Sequence, residues 1–142
     1  MRILIIDDDP ALTRQWERTL RGAGHAVTVA NTVPAAMYVA MTQPFDLVLT
    51  ELFVDEAATV SLCHYLAISQ PITSVVIVTG STVFTGGEVQ RLASNIELVL
   101  QKPAPLRDLA ATADYLADLL PGRRLAGIRA ERGLPYTPRA GL

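Results

Sequence analysis

The chain is poor in several things that would each have pointed to a different protein. It has one cysteine, Cys63, one tryptophan, Trp16, and one lysine, Lys102, in 142 residues. A lone cysteine excludes an internal disulfide and suits a reducing compartment, so a cytoplasmic location is expected. No apolar run approaches the roughly 18 residues that span a bilayer, and no membrane association is expected. The opening MRILIIDDDP is too short in apolar residues and too acidic to act as a secretory leader. No glycine-rich phosphate loop follows the first apolar run, and no nucleophile–histidine pair is evident. A nucleotide-binding or hydrolytic α/β enzyme is therefore disfavoured. Charged residues make up only 18% and hydrophobic ones 50%, which excludes a disordered chain and leaves a globular domain able to bury its own core.

Charge is unevenly spread. Residues 1–120 carry 7 basic and 13 acidic side chains, whereas residues 121–142 carry five arginines and one glutamate. Of the 12 basic residues only Lys102 is lysine, a point charge where the rest of the chain uses planar forks.

What is present is an alternation of apolar runs with helical patterns. RILII (2–6), AVTVA (26–30), DLVLT (46–50), SVVIV (74–78) and IELVL (96–100) are short, rich in branched residues and bounded by turn formers. Four of them are almost continuously apolar, as strands covered on both faces must be. Helices are expected between them. The first carries Leu12, Trp16, Leu20 and Ala23 on its apolar stripe, with Asp9-Pro10 as its cap. Others are expected at 33–43, 56–69, 86–94 and 105–120, the last ended by Pro121-Gly122. Five βα units imply an α/β domain with a parallel sheet and right-handed crossovers. Residues 1–120 form that domain, and 121–142 read as an arginine-rich, mostly flexible tail with a short helical turn near Leu125–Arg132.

In an open parallel sheet, ligands bind beyond the carboxyl ends of the strands. The first strand is followed by Asp7, Asp8 and Asp9, and the third by Glu51. Thr79, Gly80 and Ser81 follow the fourth, and Lys102-Pro103 the fifth. Carboxylates gathered in one cleft repel unless a cation joins them, and an oxygen-only set with room for water suits Mg²⁺. An ammonium and a hydroxyl beside them are what a transferring phosphoryl group requires.

Taken in order, ILIIDDDP, DLVLTEL, VIVTGS and VLQKP resemble the receiver domain of two-component response regulators, over residues 1 to about 120. The resemblance implies a flavodoxin-like five-stranded parallel sheet of order 2-1-3-4-5 with helices on both faces. It implies that Asp7 and Asp8 bind Mg²⁺, weakly and together with Glu51, and that Thr79, Lys102 and the cis-proline Pro103 contact the phosphoryl group. No other cofactor and no catalytic residue is implied.

The pattern breaks at the reactive position. Where the family carries its phosphorylatable aspartate this chain has Glu51, and where it carries an aromatic switch residue, three before the lysine, there is Val99. These departures imply a pseudo-receiver, a phosphorylation-independent module of two-component signalling that acts through protein–protein contacts. The alternative is a working receiver that accepts phosphoryl from a histidine kinase with Mg²⁺. Partners are expected to be a signalling protein, either a histidine kinase or a downstream effector. A homodimer is expected through the face of the fourth helix, fifth strand and fifth helix, where Tyr115 and Leu119 lie opposite the buried stripe. Nucleic acid is not expected as a partner, since the arginine-rich tail lacks interleaved aromatics. Cys63 and His64, adjacent on a helix, point about 100° apart and cannot chelate together. His25 is expected at the surface and Trp16 in the core.

Overall fold

The computed structural model describes residues 1–82 and 87–131, the last seven of them as backbone. The apolar runs become the strands β1 (Arg2–Ile6), β2 (Ala26–Ala30) and β3 (Leu47–Thr50). A short hairpin, β4 (Phe53–Val54) and β5 (Ala57–Ala58), follows, and then β6 (Ser74–Thr79) and β7 (Ile96–Gln101). Five of these form one parallel sheet in the order β2-β1-β3-β6-β7, which is the expected 2-1-3-4-5.

Successive side chains of a strand face opposite ways, and here both ways lead into a core. Ile3, Ile5, Leu47, Leu49, Val76 and Val78 pack beneath α1 (Pro10–Gly22) and α4 (Leu106–Glu131). Leu4, Ile6, Val48, Val75 and Ile77 pack beneath α2 (Val33–Thr42) and α3 (Val60–Ser69). This double burial explains why the strands read as continuous rather than alternating. Trp16 is 1% exposed, within the α1–α4 side. Asp9 caps α1 as its position suggested, its carboxylate accepting from the amides of Ala11 at 3.0 Å and Leu12 at 3.3 Å.

Four expectations need correction. The helix expected over 86–94 is, within the described residues, only a 3-10 turn at Val89–Arg91. So short a segment beginning in glycine cannot repay the cost of nucleating an α-helix. The helix expected from residue 56 begins at Val60, because 53–58 form the β4–β5 hairpin instead. His25 is not at the surface: its side chain is nearly enclosed, with Nδ1 3.0 Å from the amino terminus and Nε2 3.7 Å from Asp114.

The last correction concerns the end of the domain. Helix α4 does not stop at Pro121 but carries it inside and runs on to Glu131. Proline removes one helical hydrogen bond and crowds the preceding turn, at a cost of about 3 kcal/mol in an unsupported helix. Support comes from the amino-terminal edge of the sheet. Arg123 pairs with Glu97 at 2.9 Å and hydrogen-bonds Ser74, and Arg124 pairs with Asp46 at 3.0 Å. Asp46 is itself fixed by the backbone amide of Arg2 at 2.8 Å. The segment 121–131 is thus helical and continuous with α4, where a mostly flexible tail with only a short helical turn at 125–132 was expected, and 132–142 lie outside the described residues.

The hairpin turns at Asp55 (φ 48°) and Glu56 (φ 65°), both left-handed, as a type I′ turn demands. Aspartate tolerates this conformation, whereas Glu56 is not the glycine, asparagine or aspartate that adopts it at low cost. Replacing Glu56 with glycine is therefore expected to stabilise the fold by about 1 kcal/mol, read as a higher midpoint in urea at unchanged slope. A lower midpoint would mean that the turn does not hold this backbone.

Candidate functional site

Register brings the four chemistry-bearing strand ends to one edge. Ile6 lies opposite Thr50, Thr50 opposite Ile77, and Thr79 opposite Gln101. The residues just beyond are Asp7, Glu51, Gly80 and Lys102, and they converge. Lys102 Nζ lies 2.6 Å from Asp7 Oδ2 and 2.9 Å from Glu51 Oε2. Its backbone amide donates to the Thr79 carbonyl at 2.9 Å, which fixes where the lysine stem begins. The Lys102–Pro103 peptide bond is cis, as the resemblance implied.

Glu51 is held from all sides. Its Oε1 accepts from the Leu52 amide at 2.7 Å and its Oε2 from the Gly80 amide at 3.2 Å, in addition to Lys102. The Thr79 side chain also favours the charged form of this carboxylate. The Thr59 hydroxyl donates to the Glu51 and Leu52 carbonyls at 2.9 and 3.1 Å, so the backbone at this position is pinned as well.

Burial alone would raise the Glu51 pKa, but the bonds from Thr79, Lys102, Leu52 and Gly80 outweigh it and hold the group below its ordinary value of 4.5. Burial alone would lower Lys102, and here the bonds to Asp7 and Glu51, with the two negative charges, carry it above its ordinary 10.5. Asp7 is 0% exposed. A fully buried carboxylate beside a second one is tenable only with a cation between them, and Lys102 is that cation.

Asp7, Glu51, Thr79 and Lys102 are thus brought together as their positions at the strand ends suggested. Asp8 is not with them. It turns outward, and its Oδ2 accepts from the Asp55 amide at 2.8 Å. Asp7 has both oxygens engaged, Oδ2 by Lys102 and Oδ1 by the Asp9 amide at 2.9 Å. Mg²⁺ needs several unengaged oxygens with room for water. Among the described residues no group of three histidines, cysteines or acids is disposed to hold a metal ion. In this arrangement the residues do not fit the ion that receiver domains typically bind.

The expected interface pair also divides. Tyr115 is 60% exposed, while Leu119 is partly buried against the α1–α4 core. The Leu52 and Gly80 amides and the Thr59 hydroxyl were missed from the sequence. Backbone donors leave no trace in residue type, and Thr59 is one threonine among many. Cys63 and His64 belong to no site. Burial pushes the Cys63 thiol up to about 11, and the His64 ring contacts the Leu92 carbonyl at 2.7 Å.

Comparison with known proteins bears on the family and the fold. The family profile of the response regulator receiver domain matches residues 3–114. The alginate biosynthesis transcriptional regulatory protein AlgB of Pseudomonas aeruginosa is 30% identical over 129 residues, covering 82% of this chain. The chain spans only 29% of that protein's length. Among solved structures, a CheY-like receiver domain from Methanospirillum hungatei aligns with a TM-score of 0.72 at 22% identity, over 87% of this chain and 95% of that one. The receiver domain of a LuxO-type repressor protein from Vibrio parahaemolyticus aligns with a TM-score of 0.75 at 16% identity, over 89% and 95%. At such identities the structures speak for the fold.

The triad predicts a pH window. Glu51 is depressed, so its contribution is present above about pH 4.5 and is lost as pH falls through its lower folded value. Lys102 is elevated, so its contribution is present below about pH 10.5 and is lost as pH rises through its higher folded value. Replacing Lys102 with methionine leaves Asp7 and Glu51 unpaired. The expected cost is about 2–4 kcal/mol near neutrality, the lower part of the buried-pair range because the lysine is partly solvated. Urea titrations across pH check this, and the gap between wild type and variant should narrow below pH 4.5. A gap that stays constant there would contradict it.

Proposed function

The chain belongs to the response regulator receiver family, and from that premise we propose that it is a pseudo-receiver, a two-component signalling domain whose output does not depend on phosphorylation. Receiver domains are signalling domains and not catalytic enzymes. The observation that carries the reading is the 2.9 Å contact between Glu51 and Lys102, on a carboxylate whose two oxygens are both engaged.

Glutamate extends about 1.3–1.5 Å beyond aspartate along the chain. That added reach lets the Glu51 carboxylate meet Lys102 and the Gly80 amide directly. An acyl phosphate formed there would be displaced outward by about the same distance, and a misplacement of about 1 Å can cost roughly 100-fold in an in-line transfer. Val99 supports the reading independently, since it packs against the α2–α3 core and offers no ring to couple site and surface.

Asp7, Thr79 and Lys102 are nonetheless all in place, which favours a working receiver as the second reading. In that reading Mg²⁺ would have to displace Lys102 from Asp7 before it could be held. Signal passes by contact with a histidine kinase or a downstream effector in the cytoplasm. The α4–β7 face, where Tyr115 stands out, serves such a partner or a second copy. By analogy with the longer AlgB, a transcriptional regulatory protein, the output would be transcriptional.

Incubation with acetyl phosphate and Mg²⁺, followed by intact mass, separates the readings. Wild type is expected to stay unmodified while Glu51→Asp gains one phosphoryl group. A labile phosphoryl on wild type would overturn the proposal. If neither protein is modified, the glutamate alone is not what silences the pocket.

A further inference from the structure

The geometry points to Asp8 as the latch of the loop that follows Glu51, a positioning residue in the place where a cation ligand was expected. It deepens the pseudo-receiver reading, on which it rests, by saying how the segment beside Glu51 is kept in one form.

Asp8 Oδ2 reaches across from the end of β1 to accept the Asp55 amide at 2.8 Å, a contact between residues 47 apart in sequence. The amide it takes belongs to the first left-handed residue of the type I′ turn, at φ 48°, and the second, Glu56, is at φ 65°. A hairpin with two-residue strands and no glycine in its turn has little stability of its own. It needs an outside partner. Two are seen: the Thr59 hydroxyl ties the far strand back to Glu51 and Leu52, and Asp8 ties the tip. The side chain of Val54 is fully buried beneath, in the α2–α3 core.

A ligand for a cation would present its charge to the cleft. Asp8 instead has one oxygen on the Asp55 backbone amide, while the charges that Lys102 meets are those of Asp7 and Glu51. The requirement at position 8 is then for an acceptor and not for a negative charge. Asparagine should satisfy it and alanine should not.

Amide hydrogen exchange at Asp55, followed by NMR on the whole chain, reads the latch directly and involves no phosphoryl chemistry. Asp8→Ala is expected to speed exchange about 5- to 10-fold, the scale of one partly exposed charged hydrogen bond. Asp8→Asn should stay within about 2- to 3-fold of wild type. Adding Glu56→Gly to Asp8→Ala should recover most of the protection, because the turn then closes with less strain. Unchanged exchange in Asp8→Ala would overturn the latch. So would Asp8→Asn exchanging as fast as alanine, or glycine failing to rescue. Phosphorylation of wild type would defeat the pseudo-receiver reading while leaving the exchange result standing.

Discussion

One ammonium group between two carboxylates organises the working edge of this domain. Asp7 is wholly buried and Glu51 nearly so, and Lys102 joins the two carboxylates at 2.6 and 2.9 Å. The remaining donors, from Leu52, Gly80 and Thr79, converge on Glu51 and reinforce the charged form. The chain's single lysine is thereby explained. Lysine offers a compact charge with three rotatable donors at the end of a flexible stem, where a planar guanidinium would need a wider gap.

Everything that sets up this contact is non-local. Asp7, Glu51 and Lys102 come from three strands and are adjacent only because β1, β3, β6 and β7 hold parallel register along one edge. Burial on both faces fixes that register, since a slip of one residue would exchange the contents of the two cores. The opposite edge is used differently. There Arg123 and Arg124 bind Glu97, Ser74 and Asp46 and carry α4 past its proline. The sheet thus holds an ion triad at its carboxyl edge and anchors the emerging helix at its amino edge.

The strands and the four residues of the cleft were legible in the sequence because each follows from one short run, whereas the sheet order came only with the family resemblance. A doubly buried strand is apolar throughout, and the residue after it must lie at the edge. What escaped depends on partners far along the chain. Phe53-Val54-Asp55-Glu56-Ala57-Ala58 offers Asp55 as its one turn former and no glycine, so its hairpin was read as loop and helix. Pro121 is an ordinary stop signal, overruled by Arg124 meeting Asp46, 78 positions away. Leu119 was assigned to the outer face of its helix, yet the packing of α1 on α4 draws it inward. Asp8 and Asp7 are chemically identical neighbours, and only the fold shows that they turn to different partners.

The central claim is that Lys102 and Glu51 form a standing pair, and a double-mutant cycle tests it most directly. Glu51→Gln, Lys102→Met and the double variant would be unfolded in urea at neutral pH and the coupling energy extracted. The account predicts a coupling of at least about 1 kcal/mol, with the double variant less damaged than the sum of the singles. Additive effects, with no coupling, would mean that the two groups do not depend on each other and that the glutamate is not held by the lysine.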